Sequence, residues 1–546
     1  DSLTNSRIQL LEVDTAEPSQ KAQVSRATIG KNLFIAHGML SSYDGNVVKD
    51  HGFPYRPALS AARTSGGNLD ASSSYDYVAV FEWEDAQGNL HQSEPSDGIT
   101  VTTDGSGNQT FNLSVANIRN PTNLSSWHSG NYKRIDCHLY RTQGNGTVFN
   151  RIGSIEMTAV SAAGLYRSWQ DGIADTVAAL GKLLYTDGDV FADVTPPACR
   201  YVVAHRNRLF LIAEDNRIWF SKIVQEGFGV AFSDAFVIEM EGKDDDRPVA
   251  LASYGNLLII LRERSIWSIS GEGPSNTGVG GFYEPRRISA VVGASDRTPT
   301  AVVDSREEVS GVVFQSPRGI HITDGQKVQY MGGPVEEELG SDSVISIDVD
   351  QLSETVRFLL GTKVLVYNYR YNQWGVFTYA GLSSDNFNDA VSVDNVYYLA
   401  TDGSSNIWKE DSSYYDLTST YIPLKMRTAW VRLDAVQGFM RSYLFHVLGD
   451  SKNAHDMTVS VRYDYGSTIA DTYSLVSTET SSALLQFRGF LSKQKCQAIQ
   501  FELEDAVHAN TNTGQGYIIN EIQLTVGSKR GGFRLPETGS TVGSDS

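Results

Sequence analysis

The sequence predicts an all-β protein: a β-propeller of about six blades, interrupted by one inserted β-sandwich and followed by a second. Three observations carry this. Helix signals are scarce, and short strands recur between turn residues, with 49 Gly to make turns and 26 Tyr and 22 Phe suited to pleated surfaces. Stretches starting at His205, Tyr254, Ser310, Glu354 and Asp394 each read as strand, tight turn, strand, at a repeat of about 40 to 55 residues. The second strand carries Ile-Trp at 218/219, 266/267 and 407/408, with Ile320-His321 in the corresponding place. A small twisted sheet buries both faces only against neighbours, so a repeat of this length suits a propeller blade, and the aromatic positions read as blade packing.

The segments follow in order. Residues 1–28 read as an N-terminal arm. Residues 29–71 read as the first propeller strands, because "KNLFIAHGMLSSYDGNVV" (Lys31 to Val48) has the same strand-turn form. It is expected to close the ring beside the blades between Tyr201 and Glu410, which would remove exposed edges. Residues 72–190 read as an inserted module: Tyr75, Tyr77, Ala79 and Phe81 alternate on one face before a turn at Gln87-Gly88-Asn89, and "RIDCHLYRT" alternates Ile135, Cys137 and Leu139. This pattern resembles a fibronectin type III domain. The propeller proper spans 191–422. Alternating runs at Met457–Tyr463, Ile499–Leu503 and Ile522–Val526 make 423–531 a second sandwich, and 532–546 a tail.

Bulk properties narrow the function. No run of eighteen apolar residues marks a membrane span. Cys137, Cys199 and Cys496 are odd in number and without CxxC spacing, so they read as reduced structural thiols. A net charge of −19 sets the surface against nucleic acid and anionic membranes. "LPETG" (Leu535 to Gly539) matches a sortase signal, but only "STVGSDS" follows, without the apolar span and basic stop that such a signal needs, so it reads as a chance match or a remnant of cloning.

Catalytic patterns are missing from the sequence. It has no G-x-S-x-G, H-E-x-x-H, Walker lysine loop or G-x-G-x-x-G after a strand, and its ten histidines never pair at i, i+4. His205 and His321 read as core-satisfied or solvated imidazoles. "FRLP" (Phe533 to Pro536) is similar to a sialidase tetrapeptide but follows the last sandwich, and the repeated aspartate boxes are absent. The expectation is therefore a protein that is not an enzyme and has no cofactor or metal. Two acidic clusters remain, Asp244, Asp245 and Asp246 in "EGKDDDRP" and Glu336, Glu337 and Glu338 in "GGPVEEELG".

Several stretches together resemble one virion family, the tail nozzle proteins (tail tubular protein B, or packaged-DNA stabilisation proteins) of short-tailed bacteriophages. They are "SSYDGNVVKDHGF", "VFEWEDAQGNLHQSEPS", "LYRT", "LLYTDGDVFADVTPPACRYVVAHRNRLFLIAEDNRIWFSK", "SGEGPSNTGVGGFYEPRRISAVVGASD", "KCQAIQFELED" and "LTVGSKRG". The resemblance spans about Lys31 to Gly531, and its motifs are structural rather than catalytic. It implies a homohexameric ring in the virion tail, joined to adaptor or head-to-tail connector proteins and to tail fibres or spikes, that retains the genomic DNA and then conducts it without specific binding. The six acidic residues are then channel-lining candidates. The alternative is a carbohydrate-binding or adhesive surface or tail-tip protein built on a propeller.

Overall fold

The computed structural model describes residues 24–527 except 47, 54, 117–134, 158–165, 185–192, 243, 305–308, 380–386, 402–406, 412–415, 418–419, 422–423, 433–439, 454, 477–481, 494 and 508–515. Residues 1–23 of the expected arm and the whole expected tail at 532–546, with LPETG and FRLP, lie outside them, while 25–28 of the arm belong to the strand Ser25–Ile29. The chain divides into two compact units. The first holds Asp1–Gly361, Leu365–Gly375 and Asn388–Asn395, and the second holds Thr362–Val364, Val376–Phe387 and Val396–Ser546.

Six antiparallel sheets carry the repeat. Sheet 1 begins with Ser25–Ile29 and ends with Val48–Asp50. Sheets 2 to 6 begin with Cys199–His205, Pro248–Tyr254, Ala301–Asp304, Ser346–Asp350 and Phe387–Val393. The first five are four-stranded in simple sequence order, and the sixth has three strands among the described residues. The Ile-Trp pairs and Ile320-His321 all fall on the third strand of their sheets. The repeat thus repeats in space.

First strands meet first strands. Val202 N and O are bridged by the Ser25 hydroxyl at 3.1 and 3.0 Å, and His205 Nδ1 lies 2.8 Å from Ser253 Oγ. The Thr300 hydroxyl, just before sheet 4, donates to Leu251 O at 3.3 Å. The opening strands of sheets 4 and 5 pack together, and Ser346 Oγ donates to Ala390 O at 3.1 Å. The succession returns to its start where Arg26 Nη1 meets Asp389 Oδ2 at 2.9 Å. Lys31–Val48 holds the second and third strands of sheet 1, Asn32–His37 and Met39–Tyr43, and reaches the start of its fourth. It completes a sheet of its own, which packs on sheet 2 through Phe34, Ala36, Leu40, Leu209, Leu211 and Phe232. A second core runs through sheets 2, 3 and 4, including Phe210, Ile212, Leu251, Ile259, Val312 and Phe314. An all-β chain of stacked four-stranded antiparallel sheets is consistent with a β-propeller.

The inserted module begins earlier than its sequence pattern announces. Leu59–Leu69, expected among the propeller strands, pairs with Gln109–Ala116 and so belongs to the insert. All of its residues but the two terminal leucines are small or polar, so alternation does not mark it as a strand. Two sheets, one built on Ser74–Glu84 and one on Gln109–Ala116, bury a common core of Tyr75, Tyr77, Phe81, Phe111, Leu113 and Leu139. Inside it, the buried Arg141 guanidinium donates to Asp171 and Asp175, both at 2.8 Å. In the second unit, two further sheets enclose Phe445, Val447, Val459, Val461, Phe501 and Leu503. The three cysteines are buried and unpaired, and burial pushes the Cys137 and Cys199 thiols up to about 12.

Shared burial between sheets should dominate stability. Phe314→Ala is expected to cost about 3–5 kcal/mol, whereas Leu352→Ala, at an exposed turn, should stay within about 0.5 kcal/mol. Denaturant titration of both variants checks this.

Candidate functional site

The two acidic clusters lie on equivalent connections. Residues 244–246 join the last strand of sheet 2 to the first strand of sheet 3, and Glu336–Leu339 form a short helix between sheets 4 and 5. In up-down sheets such crossovers leave at the end that carries the turn between second and third strands. Asp246 makes this visible, because its carboxylate accepts from Arg264 N at 2.7 Å and from the Ser265 hydroxyl in that turn of sheet 3. The Arg262 guanidinium, 3.5 Å away, also binds the Asp246 carbonyl. Asp246 is thus a fastening of the fold, and only Asp244 and Asp245 of this triplet are exposed. Asn216 Nδ2 reaches Asp244 at 3.3 Å. Glu336, Glu337 and Glu338 are all exposed while Val335 and Leu339 anchor the helix beneath them, and the Tyr330 hydroxyl bonds Glu336. The two clusters sit on separate crossovers.

Sequence reasoning missed a buried charge network, which is built by Ser41–Phe53 and Val80–Ser96. Asp44 and Asp85 each close a tight turn: Asp44 Oδ1 accepts from Asn46 N at 3.0 Å, and Asp85 Oδ1 accepts from Gln87 N at 2.9 Å and Asn89 N at 2.8 Å. Gly45 and Gly88 supply the positive φ these turns require, +87° and +84°. Each carboxylate then uses its second oxygen for one donor from across the junction between sheet 1 and the insert and for donors of its own side. Asp44 Oδ2 accepts from Ala86 N at 3.2 Å and Lys49 Nζ at 3.4 Å. Asp85 Oδ2 accepts from Asn32 Nδ2 at 2.7 Å and His91 Nε2 at 3.1 Å. Gln87 Nε2 donates to Asp44 O at 2.8 Å, so the turns interlock.

Aromatic rings roof the charges. Lys49 Nζ lies 3.0 Å from the centroid of the Trp83 ring, and Trp83 stacks on His91 at 4.1 Å and 3°. Burial pulls Lys49 down to about 8 despite Asp44. His51, buried near His91, falls to about 3 and donates through Nε2 to Val230 O at 2.8 Å. Burial likewise lowers His91 against the pull of Asp85. For Asp85 burial acts upward, and the bonds from His91, Asn32 and Asn89 outweigh it and hold the carboxyl below its usual range. A cavity of about 100 Å³ adjoins the network, lined by His51, Phe53, Ser93, Tyr140, Asp193 and Lys222. Lys222 is itself buried and paired to Asp193 at 2.7 Å.

The geometry is that of a charged seam, with every carboxylate bound to donors fixed by the fold. Among the described residues no group of three or more His, Cys, Asp or Glu is placed to hold a metal ion, and no helix is long and apolar enough to cross a membrane. His205 bonds Ser253, and His321 bonds Ser316 at 3.1 Å.

Two outcomes follow from the seam. Asp85→Ala leaves several buried donors without an acceptor and should cost about 3 kcal/mol or more, read as a lower first unfolding transition. The pH dependence has two arms. His51 is depressed to about 3 in the fold, so the unfolded chain binds more protons between about 3 and 6.5, and stability should be lost as pH falls through that window. Lys49 is depressed to about 8, so its contribution should improve as pH rises from about 8 to 10.5. Melting curves of the parent, His51→Gln and Lys49→Met across pH check both: each variant should flatten only its own arm.

No protein-family model matches the sequence, and no curated protein does either. Solved structures to which the chain is distantly similar include Sqt1 from Saccharomyces cerevisiae, at 10% identity over 50% of this chain and 76% of that one, with a TM-score of 0.28. The Pan2 WD40 domain of Neurospora crassa is 7% identical over 71% of this chain and 87% of its own, TM-score 0.24. An exo-beta-1,3-galactanase from Phanerochaete chrysosporium is 7% identical over 76% and 93%, TM-score 0.21. Likenesses this distant carry no argument, and the propeller-like all-β architecture rests on the chain's own sheets.

Proposed function

We propose that this chain is a structural virion protein of a short-tailed phage, a subunit of the ring-shaped distal tail nozzle that retains the genome and conducts it during ejection. In this reading the six sheets form one closed six-bladed propeller carrying a fibronectin-III-like insert, with a C-terminal sandwich after it. The observation that carries the proposal is the exposure of Asp244, Asp245, Glu336, Glu337 and Glu338 on equivalent crossovers of a chain with net charge −19. A DNA conduit must not grip phosphates, since each Lys or Arg contact that releases counterions adds affinity and friction. Carboxylates repeated around a ring keep the polymer mobile, and low-dielectric walls focus their field on the axis. The buried seam supports the same reading, because two of the motifs that carry the family resemblance, Ser41–Phe53 and Val80–Ser96, meet to join the insert to the first sheet. Their chemistry is architectural.

The test replaces the exposed acids and spares Asp246. Virions with Asp244 and Asp245 changed to Lys, or with Glu336, Glu337 and Glu338 changed to Lys, should eject DNA more slowly at low salt and recover as salt screens the contact. Ejection at parental rates at every ionic strength would place the clusters outside the channel. Asp246→Lys is the structural control: it should lower stability by about 1–3 kcal/mol.

A further inference from the structure

In the second unit, strand Met440–Ser451 is flanked by Ala483–Phe490 on one side and Tyr517–Gly527 on the other. Among the described residues each flanking strand pairs only with this central one, so each presents a backbone edge, closed on one side only at Phe490, whose carbonyl accepts from the Tyr473 hydroxyl. Open edges of this length invite another strand. The outer face of the sheet falls into four rows: Leu484, Asp450, Ile518; then Gln486, Leu448, Glu521; then Arg488, His446, Gln523; then Phe490, Leu444, Thr525. Apolar side chains are exposed at both ends of both edges. Leu484 is 72% and Phe490 62% exposed on one, and Ile518 is 46% and Val526 40% exposed on the other.

We propose that these two edges are the surface through which one copy of the chain meets the next, the Ala483–Phe490 strand of one copy pairing in parallel with Tyr517–Gly527 of its neighbour. Both strands run antiparallel to the one between them, so a second copy placed beside the first in the same orientation extends the sheet with parallel strands. With the rows kept in line, exposed Leu484 meets Ile518 and exposed Phe490 meets Thr525 and Val526. Arg488, whose guanidinium already lies 5.0 Å from the Phe490 ring centroid, reaches Glu521 on the diagonal. Pairing Tyr517–Gly527 with itself about a two-fold axis instead brings Glu521 toward its own copy, and like charges oppose each other there. The occupant that fits is therefore a second copy joined head to tail, and such heterologous contacts close into rings when the rotation allows. The inference deepens the nozzle reading by naming the contact between subunits, and rests on that reading only for closure of the ring.

A charge swap tests it on the full chain by light scattering over a concentration series. Arg488→Glu and Glu521→Lys should each raise the concentration for half-assembly about tenfold or more, and the double variant should return it toward the parent's. Leu484→Asp should weaken assembly without any swap to rescue it. Melting curves confirm that each exposed substitution leaves the subunit folded. If the parent assembles and the single variants assemble equally well, or if the double variant is no better than the worse single, this contact is wrong while the ring reading stands. A parent that stays monomeric throughout overturns both.

Discussion

A small sheet cannot bury two faces by itself, and most of the first unit is a response to that constraint. Sheets 2, 3 and 4 share one core, and sheets 1 and 2 share another. What makes the arrangement specific is where the polar contacts fall: first strand to first strand, through Ser25, His205, Thr300 and Ser346, and back through Arg26 and Asp389. Apolar burial drives the stacking, and these bonds set the order in which sheets meet.

The inserted module sits under a second constraint, the cost of burying charge. Lys49, Asp44, Asp85 and the two histidines are out of water, and an unpaired ion there is strongly destabilising. Two interlocked turns solve this by giving each carboxylate backbone donors from its own turn and a further donor from across the seam, Ala86 N for Asp44 and Asn32 Nδ2 for Asp85. The penalty for misplacing either turn fixes how the insert is seated on sheet 1. Gly229 belongs to the same design: an added Cβ would lie 2.3 Å from the His91 ring, so the backbone of sheet 2 approaches the seam only without a side chain.

Much of the architecture was legible in the sequence because it repeats. The Ile-Trp pairs mark third strands, and in sheet 2 the pair presents one residue to each of two cores, Ile218 to the core shared with sheets 3 and 4 and Trp219 to the core shared with sheet 1. Strand Leu59–Leu69 was not legible, because Ala, Ser, Gly and Arg fill positions where a half-buried strand normally alternates. The seam was hidden for a different reason. Asp-Gly-Asn and Gln-Gly-Asn read as solvated turns, and nothing local reveals that two such turns face each other. Asp246 shows the same blindness in reverse: within a run of three identical residues, tertiary contacts made one a fastening and left two exposed.

The central claim is a ring whose inner wall carries Asp244, Asp245 and Glu336 to Glu338. An electron-microscopy reconstruction of the assembled full-length protein tests it most directly. The account predicts a closed ring with an opening wide enough for duplex DNA and these five side chains on its wall. A particle without such an opening, or one with the crossovers of sheets 2 and 4 on its outer surface, would contradict it.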